Sequence, residues 1–180
     1  MSIKTAVRGI FCGKRLETLP SGEPAPPISL KDTKGQLVTL EDALKNGPVV
    51  AAFFKVNCPT CQFTFPFLER LHETYGDKGF TVLGISQNDA AATREFSHEY
   101  SVKFPLLIDD ESTFKASNEY GITNVPSVFL ISPDGRIRDC AIGFAKRALE
   151  NISKEAARAM NREPIPLFRP GEVIPETKPG

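Results

Sequence analysis

Six consecutive apolar residues, Val49-Val50-Ala51-Ala52-Phe53-Phe54, run without alternation until Asn57 breaks the segment just before Cys58. An unbroken apolar run of this length is the pattern of a central strand covered on both faces. From Pro59 onward the period changes: Phe63, Phe67, Leu68 and Leu71 recur at helical spacing, and Gly76 closes the segment after Tyr75. Pro59 suits the first helical turn, where no amide donor is missed, and Pro66 is expected to kink the helix. Cys58 therefore falls where a buried strand ends and a helix begins.

The same reading continues along the chain. Residues 80–85 predict a second buried strand, and Asp89 caps a helix running to about Tyr100. Residues 104–108 predict a short strand with Pro105 near its start, and residues 112–120 a helix closed by Gly121. Strands alternating with helices imply parallel pairings. Residues 127–131 and 136–142, joined by Ser132-Pro133-Asp134-Gly135, predict an antiparallel hairpin. A long helix over 145–160 then carries Leu149, Ile152 and Ala156 on one face. Ahead of all this, residues 28–30 and 37–40 around Lys34-Gly35 predict an N-terminal hairpin. The proline-studded segments 20–27 and 164–179 read as extended chain rather than as parts of the core, with the tail either wrapped on the domain or loose. The expected organisation is an N-terminal extension (1–27), one α/β domain (28–160) and a Pro-rich C-terminal tail (161–180).

Charge narrows the partners. Lys and Arg total 22 against 22 Asp and Glu, which removes the electrostatic motive for nucleic acid or an acidic membrane surface. No apolar run approaches the ~18 to 20 residues needed to span a bilayer. The first dozen residues interrupt their apolar pieces with Lys4 and Arg8 and assemble no secretory h-region, so a cytoplasmic location is expected. A leader trimmed from the N-terminus would instead allow a periplasmic or exported protein.

Four cysteines, Cys12, Cys58, Cys61 and Cys140, are too few for a disulfide-stapled scaffold. Cys58-Pro59-Thr60-Cys61 has three readings, as a redox dithiol, half of a zinc site or coincidence. Zinc lacks a second ligand pair, because Cys12, Cys140, His72 and His98 stand far apart in sequence. The redox reading needs a strand delivering the motif and a helix starting within it, and both are present. Cys12 and Cys140 read as an arm thiol and a packed small hydrophobe, with a second redox pair as the alternative, and His72 and His98 as ordinary surface or boundary residues.

Thiol-disulfide exchange needs a thiolate, and an ordinary cysteine is mostly protonated at neutral pH. At Cys58 the free amides and dipole of the helix start are expected to stabilise the anion, with Lys55 adding charge if it points inward. Cys61, one turn further in, is expected to be less exposed and to remain a thiol until needed. Cys58 then attacks a substrate disulfide, Cys61 resolves the mixed disulfide, and a partner reductase resets the pair. Neither a metal nor an organic cofactor is implied.

Strand, C-x-x-C, kinked helix, strand, helix and then Asn124-Val125-Pro126-Ser127 opening a hairpin resemble the thioredoxin superfamily over about residues 28–160. The resemblance implies a thioredoxin-like α/β fold, a central mixed sheet flanked by helices. Pro66 matches the family's helix-kinking proline, and Val125-Pro126 the position of its cis-proline beside the active site. The helix-strand insertion over 90–108 and the N-terminal hairpin are similar to the AhpC/TSA and redoxin group, most of all to TlpA-type oxidoreductases. In peroxiredoxins of that group Cys61 would align with the peroxide-reactive cysteine, but Cys58 replaces the usual threonine and no arginine stands near Pro126.

Other departures concern the surface and the proton. Asn57 occupies the place where many members carry Trp, and the chain has no Trp. Ala52 aligns with the buried acid of thioredoxin, and Thr64 with the glutamate of some TlpA-like proteins. Deprotonation of Cys61 is then left to water, Thr64, Lys55 or the leaving thiolate. The resemblance implies that Val125 offers its backbone to an extended substrate, and the apolar side chains of Phe63 and Phe65 are expected to form a rim beside it. The expected function is disulfide exchange with a disulfide-containing protein or small molecule. The alternatives are a peroxiredoxin-like peroxidase and a redox-inactive module that binds peptides beside Pro126.

Overall fold

The computed structural model describes residues 18–76 and 79–180. Strands β1 (Ser29–Asp32) and β2 (Leu37–Thr39) form the expected hairpin, with Leu30 opposite Val38. The Asp32 carboxylate accepts from the N–H groups of Lys34 and Gln36 at 2.8 Å each and ties the turn. A short helix α1 (Leu40–Leu44) follows, taking Leu40 from the expected strand and covering residues for which the pattern predicts no element. Its signal was present: the Thr39 hydroxyl accepts from the Asp42 N–H, with Glu41 and Asp42 in the first turn.

Strand β3 (Val49–Phe54) is buried at every position, and helix α2 (Pro59–Tyr75) leaves its C-terminal end. Then come β4 (Thr81–Ser86), α3 (Ala90–Glu99), β5 (Leu106–Ile108) and α4 (Lys115–Glu119). Helix α4 starts three residues later than the pattern suggested. Asp110 holds Ser112 in a local turn, and Phe114 enters the left-handed region at φ 44, which an ongoing helix excludes. The chain closes with β6 (Ser127–Ile131), β7 (Ile137–Ile142), β8 (Phe144–Ala145), α5 (Lys146–Ala159) and β9 (Thr177–Lys178).

The large sheet has the order β2-β1-β5-β4-β3-β6-β7. Only β3 with β4 and β4 with β5 are parallel, so the sheet is mixed. Alternation along β3 divides the core into two layers. Val50, Ala52 and Phe54 face α2, α3 and α5 through Phe65, Leu68, Phe96, Leu149 and Ile152. Val49, Ala51 and Phe53 face α1 and α4 through Leu40, Ala43, Ala116 and Tyr120.

The two flanks are more engaged than their prolines suggested. Ahead of β1, the N–H groups of Gly22 and Ala25 donate to Ile137 and Gly135, which fastens residues 22–25 beside β7. Behind α5, Leu167 is buried within the first core layer, which corrects the placement of the tail outside the core. Phe168 meets Phe67 edge-to-face at 5.0 Å, and Arg70 grips Glu172 through two hydrogen bonds of 2.8 and 2.5 Å. A proline-rich chain has little backbone entropy to lose, so a few side chains suffice to dock it. Cys12 lies outside the described residues. Cys140, buried on β7, is not the lone packed thiol expected, because it is not free.

Candidate active site

The buried strand β3 ends at Phe54, and the next residues turn the chain so that Cys58 becomes the N-cap of α2. Its backbone is extended, at φ −87 and ψ 115, and Pro59 takes the first helical position. The Cys58 sulfur accepts from the Cys61 N–H at 3.4 Å. It also lies 3.4 Å from the carbonyl oxygen of Val125, to which the thiol donates. The free N–H groups at a helix start suit a negatively charged sulfur.

One turn inward the environment changes. Cys58 is half-buried, whereas Cys61 is completely buried in the core layer with Phe65 and Val128. Burial pushes the Cys61 thiol far above the usual cysteine range. A backbone hydrogen bond at Lys55 opposes this, while the hydrogen bond and charge of Cys58 reinforce it. Two free thiols thus share one helical turn in different surroundings, one half-buried at the helix start and one enclosed in the core and held protonated.

The peptide bond between Val125 and Pro126 is cis. The Val125 carbonyl oxygen lies 3.4 Å from the Cys58 sulfur, and the Pro126 carbonyl accepts from the Gly143 N–H at 2.7 Å. The Ser127 hydroxyl donates to Asn124 at 2.7 Å and fixes the loop ahead of β6.

The remaining sequence candidates are placed less centrally. Lys55 is exposed and lines a cleft of about 260 Å³ with Gln87, Ser117, Asn124 and Val125. Thr64 is buried, and its hydroxyl donates to the Thr60 carbonyl at 2.6 Å, one turn back in the same helix. Phe63 is on the rim, but Phe65 is not. Two residues along a helix is more than half a turn, and Phe65 is buried against Phe54, Phe96 and Phe104. Thr60 was missed: it is buried between the two cysteines, and its hydroxyl donates to Pro179 of the C-terminal tail at 2.6 Å. Only the folded tail reveals that contact. Among the described residues, no group of three or more His, Cys, Asp or Glu comes together as a metal site.

The mixed sheet with its helices on both faces, and a dithiol at the start of α2 facing a cis-proline loop, are those of the thioredoxin fold. The thioredoxin domain of a thiol-disulfide oxidoreductase from Bacteroides vulgatus superposes with a TM-score of 0.69 at 26% identity, over 77% of this chain and 98% of that domain. The chain belongs to the AhpC/TSA family, which it matches over residues 21–140. It is 30% identical to the thiol-disulfide oxidoreductase ResA of Bacillus thuringiensis across 84% of this chain and 86% of the relative. It is also 28% identical to the thioredoxin-like protein YneN of Bacillus subtilis, over 73% and 78% of the two chains.

Proposed function

We propose that this chain is a thiol-disulfide oxidoreductase in which Cys58 is the nucleophile and Cys61 the resolving thiol. The observation that carries the assignment is the asymmetry within one turn: Cys58 is half-buried at the helix start, and Cys61 is fully buried and held protonated. Similarity to ResA at 30% identity supports the same chemistry.

The Cys58 thiolate attacks one sulfur of a substrate disulfide. A new S–S bond forms, the substrate bond breaks, and one substrate sulfur leaves as a thiolate. The Cys58 charge that holds up the neighbouring Cys61 is lost in this mixed disulfide, so Cys61 gives up its proton more readily. The departing thiolate or water takes that proton. Cys61 then attacks the Cys58 sulfur, the second substrate sulfur leaves, and the protein holds a Cys58–Cys61 disulfide. Two electrons have passed from protein to substrate, and a partner reductase restores the dithiol.

In this reading Val125 presents its backbone to the substrate, Pro126 shapes that loop, and Lys55 supplies positive charge from the neighbouring cleft. Thr64 acts through the helix rather than on a sulfur, since its hydroxyl is engaged by Thr60. The substrate is a disulfide-containing protein. A cytoplasmic location is part of the proposal and favours the reducing direction. Fractionation of cells into cytosol and envelope reads that part.

The assay offers the reduced protein insulin disulfides and hydrogen peroxide separately and follows Cys58–Cys61 oxidation by mass spectrometry. Insulin reduction with slow peroxide turnover is expected. Fast peroxide turnover with idle insulin assigns the protein to the peroxidase alternative, and inertness to both to the redox-inactive module.

A further inference from the structure

The C-terminal tail ends its path on the exchange site itself. Strand β9 pairs antiparallel with β8, Lys178 opposite Phe144 and Thr177 opposite Ala145. The backbone passes so close to Gly143, which sits at φ +69, that a Cβ there would come within 2.6 Å of the Lys178 carbonyl. Beyond β9, Pro179 accepts from the Thr60 hydroxyl, and Gly180 accepts from the Asn124 amide at 3.4 Å. Gly180 presses on Val125: a Cβ added to it would lie 2.3 Å from the Val125 oxygen, the atom 3.4 Å from the Cys58 sulfur. The Lys178 ammonium lies 4.7 Å over the Phe63 ring, so the apolar rim is occupied as well.

We propose that residues 177–180 are an intramolecular strap seated in the polypeptide groove beside Cys58, and that a protein substrate reaches the sulfur by displacing it with an extended segment of its own. The inference rests on the exchange function proposed above and deepens it by naming what the substrate replaces. The tail touches Thr60 and Phe63 on α2 and the loop residues Asn124 and Val125, the surface an extended chain needs. Residues 161–180 contain no cysteine, so the strap fills the groove without offering a sulfur to attack. Its last strand is two residues long, and its ion pairs through Glu176 to Lys146 and Arg147 are long, at 3.9 and 3.7 Å. These local contacts can open while Leu167 and the Arg70–Glu172 pair keep the rest of the tail docked. The substrate segment that replaces it is extended and narrow at Val125, with a backbone carbonyl for Thr60 and an apolar or cationic side chain for Phe63.

Two variants test this: a chain ending at Glu176, which lacks the strap, and Gly180→Val, which keeps residues 177–180 but clashes with the Val125 backbone. The first readout is the rate of Cys58 alkylation by iodoacetamide in the reduced protein. The second compares reduction of insulin with reduction of bis(2-hydroxyethyl) disulfide. Both variants are expected to alkylate at least about 3-fold faster than the parent, and to gain more on insulin than on the small disulfide. Alkylation rates within 2-fold of the parent in both variants overturn the strap, whatever the exchange activity. Faster alkylation with neither disulfide reduced by any form upholds the strap and removes the exchange reading.

Discussion

The sulfur of Cys58 accepts a hydrogen bond from the backbone N–H of Cys61, so the half-buried thiol caps the helix on which its fully buried partner rides. A side chain that usually caps with oxygen is here replaced by sulfur, and in the proposed exchange that cap is the attacking atom. Any event at Cys58 is therefore felt at the first turn of α2.

Alkylation separates the two thiols. Limited iodoacetamide at neutral pH is expected to label Cys58 in the folded, reduced protein and to spare Cys61 until the chain is unfolded. The reason is that Cys58 is half-buried while Cys61 has no exposed surface and a thiol pushed up by burial. Peptide mass mapping reads the site, and equal labelling of both contradicts the assignment of roles.

Removing the resolving sulfur traps the intermediate. Cys61→Ser is expected to accumulate a mixed disulfide between Cys58 and an added disulfide substrate, visible on a non-reducing gel. Cys58→Ser is expected to accumulate none, because the remaining sulfur is enclosed. A trapped adduct on Cys61 reverses the assignment.

Alkaline pH weakens the reduced fold. Above pH ~9 the unfolded chain ionises Cys61 at an ordinary value while the native chain keeps the proton. The native state then binds more protons than the unfolded one, so stability falls as pH rises. Tyr120, whose phenol is raised by burial and donates to the Pro26 carbonyl, adds to the fall above pH ~10. Urea midpoints at pH 8 and pH 10.5 test this, and Cys61→Ala should flatten the slope.

Acid loosens the tail. The Arg70 guanidinium beside Glu172 holds that carboxyl at about 2, against an ordinary 4.5. Its contribution to docking is fully present above pH ~4.5 and is lost as pH falls towards 2. Proteolytic nicking between Pro164 and Glu172 is therefore expected to increase in Arg70→Ala at neutral pH, and in the parent only in strong acid. An acid protease such as pepsin provides the low-pH measurement.

Truncating the shared aromatic layer destabilises the site with the core. Phe65 packs tilted against Phe54 at 4.3 Å and edge-to-face against Phe96 at 5.2 Å, and it is fully buried on the helix that carries both thiols. Phe65→Ala is expected to remove about 3 to 5 kcal/mol of stability in urea unfolding, through lost burial and the cavity left behind.

Much of this protein was legible in the order of its residues. The run from Val49 to Phe54 fixes a strand buried on both faces because every position is apolar, and the change of period after Pro59 fixes a helix with Cys58 at its start. Local rules of this kind involve neighbours a few positions apart, so the sequence contains them. Short elements were less legible. α1 and the late start of α4 depend on single caps and one left-handed residue, Phe114, whose conformation a pattern of apolar positions does not encode.

What only the tertiary structure decided concerns residues far apart in the chain. Sequence placed Phe63 and Phe65 together on a rim; packing sent Phe65 inward and left Phe63 beneath Lys178. Sequence read residues 164–179 as extended chain; folding brought Leu167 into the core and laid Pro179 on Thr60, 119 positions away. Proline constrains the local backbone to be extended but carries no information about which surface an extended chain will find. That surface exists only once α2, β8 and the loop at Val125 have assembled.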